Sequence, residues 1–466
     1  MIVPQSRLLF WFAVVVLPFA VLGAVYAEGL QLSIIAIAAL AVLAMLDVAL
    51  GFGSLDGISV KLPDVLRFSK DREGSIEVRL RNERQKRRSL RLGLAFPREL
   101  QSPVEDMPVL LPADSEWSRL EWRCTPLKRG NFRVARAYLE TTSPLGFWAM
   151  RAQTPVSAEV RVYPNLLTER KNLAALFLNR GAFGIHAQRQ VGKGRDFEKL
   201  RDYIPGDSFD DIHWKATAKR GRPVTKVFQI ERTQEVYVVI DSSRLSAREP
   251  VQRSRFNVQG SQPASEGSHL GTLKLEHGTS VLERYVTSAL VLGLAAEKQG
   301  DLFGLVTFSD KVENFVRAKN GKAHYSACRD AIYTLEPRIV TPDFDELASF
   351  IRLRLRRRAL LVFLTALDDP ALAESFVRNM DLLRRQHLVL VNMMKPPGAD
   401  PLFSHADVGS TDDLYQRLGG HLQWHSLREL DKTLQRRGVR FSMLENEKLS
   451  VQLVSQYLGV KQRQIL

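Results

Sequence analysis

Charged side chains crowd the segment between Gly192 and Lys219. Arg195, Asp196, Glu198, Arg201, Asp207 and Lys215 are interleaved with Phe197, Leu200 and Tyr203. Carboxylates and guanidinium groups at this spacing can move protons or pair with each other. Arginine–carboxylate pairs are strong and geometrically specific, so the set reads as an ion-pair network that docks the segment against a neighbouring sheet. A catalytic reading centred on Arg195, Asp207 and Lys215 lacks a nucleophile beside a base and is the weakest alternative. His213 stands next to Trp214 with no cysteine or nucleophile nearby. Gly192-Lys193-Gly194 lacks the spacing and the GK[ST] ending of a phosphate loop, and no Rossmann fingerprint, HExxH or GxSxG is present. Arg352, Arg354, Arg356, Arg357 and Arg358 close a helical segment, where cations complement the helix dipole.

The same segment carries a pattern of fixed types: Gly192, Gly194, Arg195, Asp196, Phe197, Leu200, Arg201, Tyr203, Pro205, Gly206, Asp207, Ile212, Trp214, Lys215, Ala216, Thr217, Ala218 and Lys219. It resembles the signature of the bacterial domain-of-unknown-function 58 family. The resemblance implies a membrane-anchored protein with a von Willebrand factor type A (vWA) domain after the motif. It also implies a MoxR-type AAA+ ATPase as partner.

In vWA domains the first strand ends in D-x-S-x-S, and with a threonine and an aspartate from later loops it forms a metal-ion-dependent adhesion site. Oxygen ligands around an incomplete shell suit Mg²⁺. Here Asp241 and Ser243 match, Leu245 replaces the second serine, and Arg244 brings a positive charge close to the cation position. Thr341 is the candidate threonine. Ala366 stands in the expected aspartate slot, and Asp368 and Asp369 reach it only through a rearranged loop. The resemblance therefore implies a degenerate site, with Asp241, Ser243 and Thr341 as the residual Mg²⁺ ligands. The bland alternative is that Asp241 and Ser243 cap a strand end and its turn.

The elements that position these residues follow from periodicity. Leu8 to Ala27 is an uncharged apolar run, long enough to span a bilayer even with Pro18 inside it. Glu28-Gly29 makes a tight break, and Leu30 to Phe52 forms a second span. Val25-Tyr26-Ala27 resembles a signal cleavage site, but the immediate second apolar segment favours a two-pass hairpin. Asp47, near the end of the second span, reads as a solvated end residue. Arg7 before the spans, and Lys61, Arg67, Lys70 and Arg72 after them, place both ends and all downstream residues in the cytoplasm, at a bacterial inner membrane.

From 54 to 165 the period is two: Ile76, Val78 and Leu80, then Leu90, Leu92 and Leu94, then Trp122 and Cys124, then Val160 and Val162. This predicts an antiparallel β-sandwich. Residues 166–235 hold a connector helix, Leu166 to Arg180, a loop-like stretch to Val191, and the motif. From 236 to 466 strands and helices alternate, the pattern of a doubly wound, Rossmann-type α/β domain, here vWA-like. The expected strands are Val236–Ile240, Leu302–Phe308, Ala359–Thr365, Leu388–Met393, Leu422–His425 and Val439–Leu444. A polar insertion near 244–280 exceeds an ordinary βα loop.

The net charge of +15 suits an anionic partner such as lipid headgroups or an acidic protein surface. No groove-reading element or stacking platform points to nucleic acid. Two distant cysteines, Cys124 and Cys328, form no disulfide framework and no metal-ligand spacing. The combined expectation is a non-enzymatic membrane-anchored scaffold without a cofactor, working with the ATPase and other envelope proteins. A Mg²⁺-dependent adhesion module is the second reading.

Overall fold

A short strand, β1 (Ile2–Pro4), precedes the first apolar run. That run folds as α1 (Ser6–Trp11), a π-helical turn (Phe12–Val16) and α2 (Leu17–Val25). Pro18 accounts for the wide turn, because its missing N–H and its ring break the regular ladder just before it. The second run is α3 (Leu30–Gly51). Ser6–Val25 and Leu30–Gly51 are both long and apolar enough to cross a membrane. The computed structural model describes residues 1–26, 30–179, 191–204, 207–229, 234–248, 280–402, 404 and 410–462. The expected break at Glu28-Gly29 lies outside them, as does the loop-like stretch up to Gln190. The chain divides into two units, Met1–Asn165 and Leu166–Leu466.

The first unit continues through β2 (Ile58–Lys61), β3 (Val65–Ser69), β4 (Gly74–Asn82), β5 (Arg88–Leu94) and β6 (Leu100–Gln101). It ends with β7 (Asp106–Leu111), β8 (Trp117–Pro126), β9 (Gly130–Thr142) and β10 (Trp148–Tyr163). One sheet runs β2-β4-β8-β6. The other runs β1-β10-β9-β5-β7, with β3 also on β10. Pairing is antiparallel except β3 on β10. The two-residue period does what it predicts: Ile76, Val78, Leu80 and Trp122 of one sheet share a core with Leu90, Leu92 and Leu139 of the other.

Asp47 corrects the expectation of a solvated end residue, since it is fully buried. Its carboxylate accepts hydrogen bonds from the Ser143 hydroxyl (2.5 Å) and from the backbone N–H groups of Leu145 (2.8 Å) and Phe147 (3.1 Å). Trp148 Nε1 donates to the Ala44 carbonyl at 2.9 Å. The end of α3 is thus held in the turn between β9 and β10. Its partners lie about a hundred positions further on, beyond the reach of any local pattern.

The second unit opens with α4 (Leu167–Asn179), β11 (Val191–Asp202), α5 (Trp214–Arg220) and β12 (Val224–Gln229). β11 and β12 form an antiparallel ribbon with register irregularities. β13 (Glu235–Asp241), α6 (Val281–Lys298), β14 (Leu302–Phe308), β15 (Val312–Lys319), α7 (Lys322–Ile332) and α8 (Phe344–Arg354) follow. β16 (Leu360–Leu364), α9 (Pro370–Leu383), β17 (Leu388–Met394), α10 (Thr411–Arg436), β18 (Arg440–Leu444) and α11 (Leu449–Gln462) complete it. The sheet order is β15-β14-β13-β16-β17-β18, parallel throughout except the β14–β15 pair. α4, α6, α7 and α11 pack on one face, and α8, α9 and α10 on the other. Consecutive strand residues are buried on both faces, which is why these strands read as unbroken apolar runs.

Two elements differ from the sequence expectation. Leu422–His425 is not a strand but part of α10. Gly419-Gly420 looks like a helix stop. Yet a Cβ on Gly420 would lie 2.0 Å from the Gly398 carbonyl oxygen, so this glycine permits close approach rather than a break. His421 stacks on Trp424 at 5.6 Å, a contact made at helical spacing. β15 was not expected, because an edge strand of mostly half-buried residues leaves no apolar run.

Candidate functional site

β13 lies between β14, which follows it in sequence, and β16, which comes later. Open α/β sheets bind ligands at the carboxyl ends of the strands where the order reverses in this way. Asp241 ends β13 there, and Thr365 directly follows β16. Both are fully buried. The Thr365 hydroxyl donates to one Asp241 carboxylate oxygen at 2.6 Å, and the Ser243 N–H donates to the other at 2.8 Å. Burial pushes the Asp241 carboxyl above its usual range, while hydrogen bonds from Thr365 and Ser243 pull the other way.

The turn after Asp241 satisfies itself. The Ser242 hydroxyl donates to the Phe308 carbonyl at 2.8 Å. The Ser246 hydroxyl donates to the Ser243 carbonyl at 2.9 Å, and the Ser243 hydroxyl accepts from the Leu245 N–H at 3.3 Å. Leu245 is buried in the apolar cluster beneath α8 and α9, so its role there is packing. The Val281 N–H donates to the Arg248 carbonyl at 3.0 Å, which closes the base of the insertion. Residues 249–279 of that insertion lie outside the described residues.

Thr341 is brought to this turn through its neighbour: the Arg244 N–H donates to the Val340 carbonyl at 3.0 Å. Its side chain is exposed. The hydroxyl on the Asp241 carboxylate belongs instead to Thr365, which the sequence reading treated only as part of a strand end. Its one sequence signal was its place immediately before the Ala366 slot. Asp368 and Asp369 are engaged elsewhere. Arg248 pairs with Asp368, and Arg244 lies 3.9 Å from Asp369, which also caps α9 by accepting from the Ala371 N–H at 3.0 Å. Guanidinium groups therefore meet these carboxylates. Asn392 on β17, paired in register with Leu364, is fully buried. Neither of its amide atoms has a hydrogen-bond partner among the described residues.

The motif forms a separate cluster. Arg201 pairs with Asp207 at 2.7 Å. Asp207 also accepts from the Ile204 N–H at 3.1 Å and the Thr225 hydroxyl at 3.3 Å. The Ile204 N–H, helped by Arg201, holds the Asp207 carboxyl below its usual range. His213 caps α5, its Nδ1 accepting from the Ala216 N–H at 3.0 Å. Tyr203 stacks on Phe209 with ring centroids 6.1 Å apart. Leu200 is half-buried on the ribbon. Lys215 departs from the expected network: it is exposed, as is Trp214, and has no carboxylate partner among the described residues. Gly192 and Gly194 lie on β11; the side chains of Arg195, Asp196, Phe197 and Glu198 lie outside the described residues, as do Pro205 and Gly206.

Residues 199–257 and 267–400 match the family model described as Protein of unknown function DUF58. The match supports the family that the motif resembles. No curated protein matches it. Among solved structures it is similar to proximal thread matrix protein 1 from the mussel byssus, at 13% identity and a TM-score of 0.25, over 47% of this chain and 44% of that one. It thus spans less than half of the mussel protein. An aerotolerance-related membrane protein from Bacteroides fragilis is 11% identical over 49% of this chain and 97% of its own, with a TM-score of 0.26. An uncharacterized membrane spanning protein from Vibrio fischeri is 12% identical over 49% of this chain and 99% of its own, with a TM-score of 0.17.

Proposed function

We propose that the protein is a non-enzymatic, membrane-anchored scaffold whose 236–466 segment is a vWA-type domain with a degenerate metal site. The observation that carries this reading is the closure of Asp241 by the Thr365 hydroxyl and the Ser243 N–H. With Arg244 and Arg248 on the nearby carboxylates, positive charge is supplied by side chains. The strand order and the position of Asp241 at the reversal point support the vWA assignment. The spans are read as a two-pass hairpin in a bacterial inner membrane, with the residues that follow them in the cytoplasm. The motif's resemblance supports a MoxR-type AAA+ ATPase as partner, acting with it on envelope complexes. Crosslinking in native membranes followed by affinity purification of the full chain should recover that ATPase well above its level with an unrelated two-pass control. Equal recovery from both would remove the partnership.

The second reading, a Mg²⁺-dependent adhesion module using Asp241, Ser243 and Thr341, is favoured by the contact that sets the Val340–Thr341 loop against Arg244. Asp241→Asn separates the two. A carboxyl whose folded pKa is raised favours folding while protonated. That contribution is present below the ordinary aspartate range and is lost as pH rises through the raised value. At neutral pH, above the ordinary aspartate range, that contribution is diminished and the buried carboxyl costs stability relative to low pH. Without a metal, Asp241→Asn should raise the denaturation midpoint at neutral pH, and the gain should vanish as the pH falls below about 4. If millimolar MgCl₂ stabilises the native chain but not the variant, the adhesion reading replaces the metal-free one.

A further inference from the structure

The outer face of the β2-β4-β8-β6 sheet carries a row of cations that its folding does not call for. Lys61 on β2 is directly opposite Arg79 on β4, and Arg79 is directly opposite Arg119 on β8. Side chains opposed in this way have Cβ atoms about 5 Å apart, and like charges there destabilise the pairing. Among the described residues one carboxylate forms ion pairs with the row. Glu77 accepts from Arg79 Nε at 2.7 Å and lies 3.8 Å from Arg119. The hydrogen bond and charge of Arg79, with Arg119 beyond, hold the Glu77 carboxyl below its usual range.

Lys61 has no carboxylate partner among the described residues, and its Nζ sits 5.3 Å from the centroid of the Trp117 ring. Arg81, opposite Trp117, adds no free charge, because Glu116 at 2.6 Å and Glu83 at 2.9 Å neutralise it. Three cations against the carboxylates of Glu77 and its directly opposed neighbour Glu121 leave one positive charge in excess along these side chains. The cations border a cavity of about 660 Å³ lined by Lys61, Leu62, Pro63, Arg79, Trp117 and Arg119.

We propose that this cavity binds a phosphate-bearing group. Planar guanidinium forks match phosphate oxygens, the ammonium adds a point charge, and the indole covers the organic portion of the ligand. The repulsion within the row is then relieved by the ligand. Two sources share this chemistry. A lipid headgroup is one, since the same unit carries the two helices long enough to cross a bilayer. A free phosphate ester is the other. The site is separate from the Asp241 turn, and its test does not depend on the scaffold role.

The full chain is placed in phosphatidylcholine nanodiscs and titrated calorimetrically with glycerol 3-phosphate at constant ionic strength. In a parallel arm its thermal midpoint is compared in discs with and without phosphatidylglycerol. The double variant Lys61→Gln/Arg119→Gln is run through both. Binding heat from glycerol 3-phosphate, weakened about tenfold or more in the variant, establishes a free-ester site. A midpoint rise with phosphatidylglycerol that the variant lacks, without heat from the ester, establishes a headgroup site. In either case the unliganded variant should unfold at the same or a slightly higher temperature than the native chain. A native chain that responds to neither source overturns the proposal. So does a variant that responds like the native chain, or one whose unliganded midpoint falls, which would make the row structural.

Discussion

Replacing Asp301 by alanine is expected to destabilise the Leu166–Leu466 unit by about 3–5 kcal/mol, the usual cost of removing one partner from a buried ion pair. Asp301 is 1% exposed and precedes β14. One carboxylate oxygen accepts from the Tyr457 hydroxyl and from Lys461 Nζ, the latter at 2.8 Å, and the other accepts from the Gln234 N–H at 3.2 Å. The carboxylate thus joins the start of the sheet to α11, the last helix of the chain. Burial, reinforced by the adjacent Asp301 carboxylate, pushes the Tyr457 phenol far above its usual value. Alanine would leave the phenol and the backbone N–H without their acceptor, and the ammonium with only the Gln299 carbonyl at 3.0 Å and no counter-charge. Urea unfolding followed by a probe on α11 gives the magnitude. The double variant Asp301→Leu/Lys461→Met should recover most of the loss, since an apolar pair often replaces a buried ion pair with little penalty. A loss under about 1 kcal/mol for Asp301→Ala would mean that the pair is effectively solvated and that α11 is held by apolar packing alone.

How much of this was legible in the sequence depends on whether the signal was local. Val236–Ile240 and Leu302–Phe308 declare themselves as runs because both faces of their sheet are covered. Ile76, Val78 and Leu80 declare themselves by alternation because one face is wet. The motif was legible as a set of residue types, but its internal partners were only half predicted. Arg201 and Asp207 pair across a tight turn, whereas Lys215 points to solvent. At the β13 end, Asp241 and Ser243 were visible as neighbours in sequence. Thr365 was not, because its claim on Asp241 is made by the sheet register, which sets Ile240 beside Leu364. Leu422–His425 failed for a related reason. A pair of glycines means a turn unless something packs against them, and Gly398 does so from outside the helix.

Asp47 is the most non-local case, and Asp47→Ala should cost the Met1–Asn165 unit about 3 kcal/mol or more. Hydrogen bonds to a charged acceptor are worth more than neutral ones, and each buried donor left without a partner carries its own desolvation penalty. The Ser143 O–H can be redirected, since a hydroxyl hydrogen rotates about its C–O bond while the oxygen goes on accepting from the Trp148 N–H at 3.0 Å. The N–H groups of Leu145 and Phe147 cannot, because they are fixed by the backbone of the turn. The loss should therefore fall on those amides. Their hydrogen exchange in detergent-solubilised full chain should accelerate by two or more orders of magnitude, roughly what 3 kcal/mol implies. Asp47→Asn keeps the shape and one acceptor oxygen, so it should show a smaller acceleration at both positions. Exchange at Leu145 and Phe147 that is the same in all three proteins would mean that Asp47 does not hold the turn. The end of α3 would then owe its position to the Trp148–Ala44 hydrogen bond and to apolar contacts.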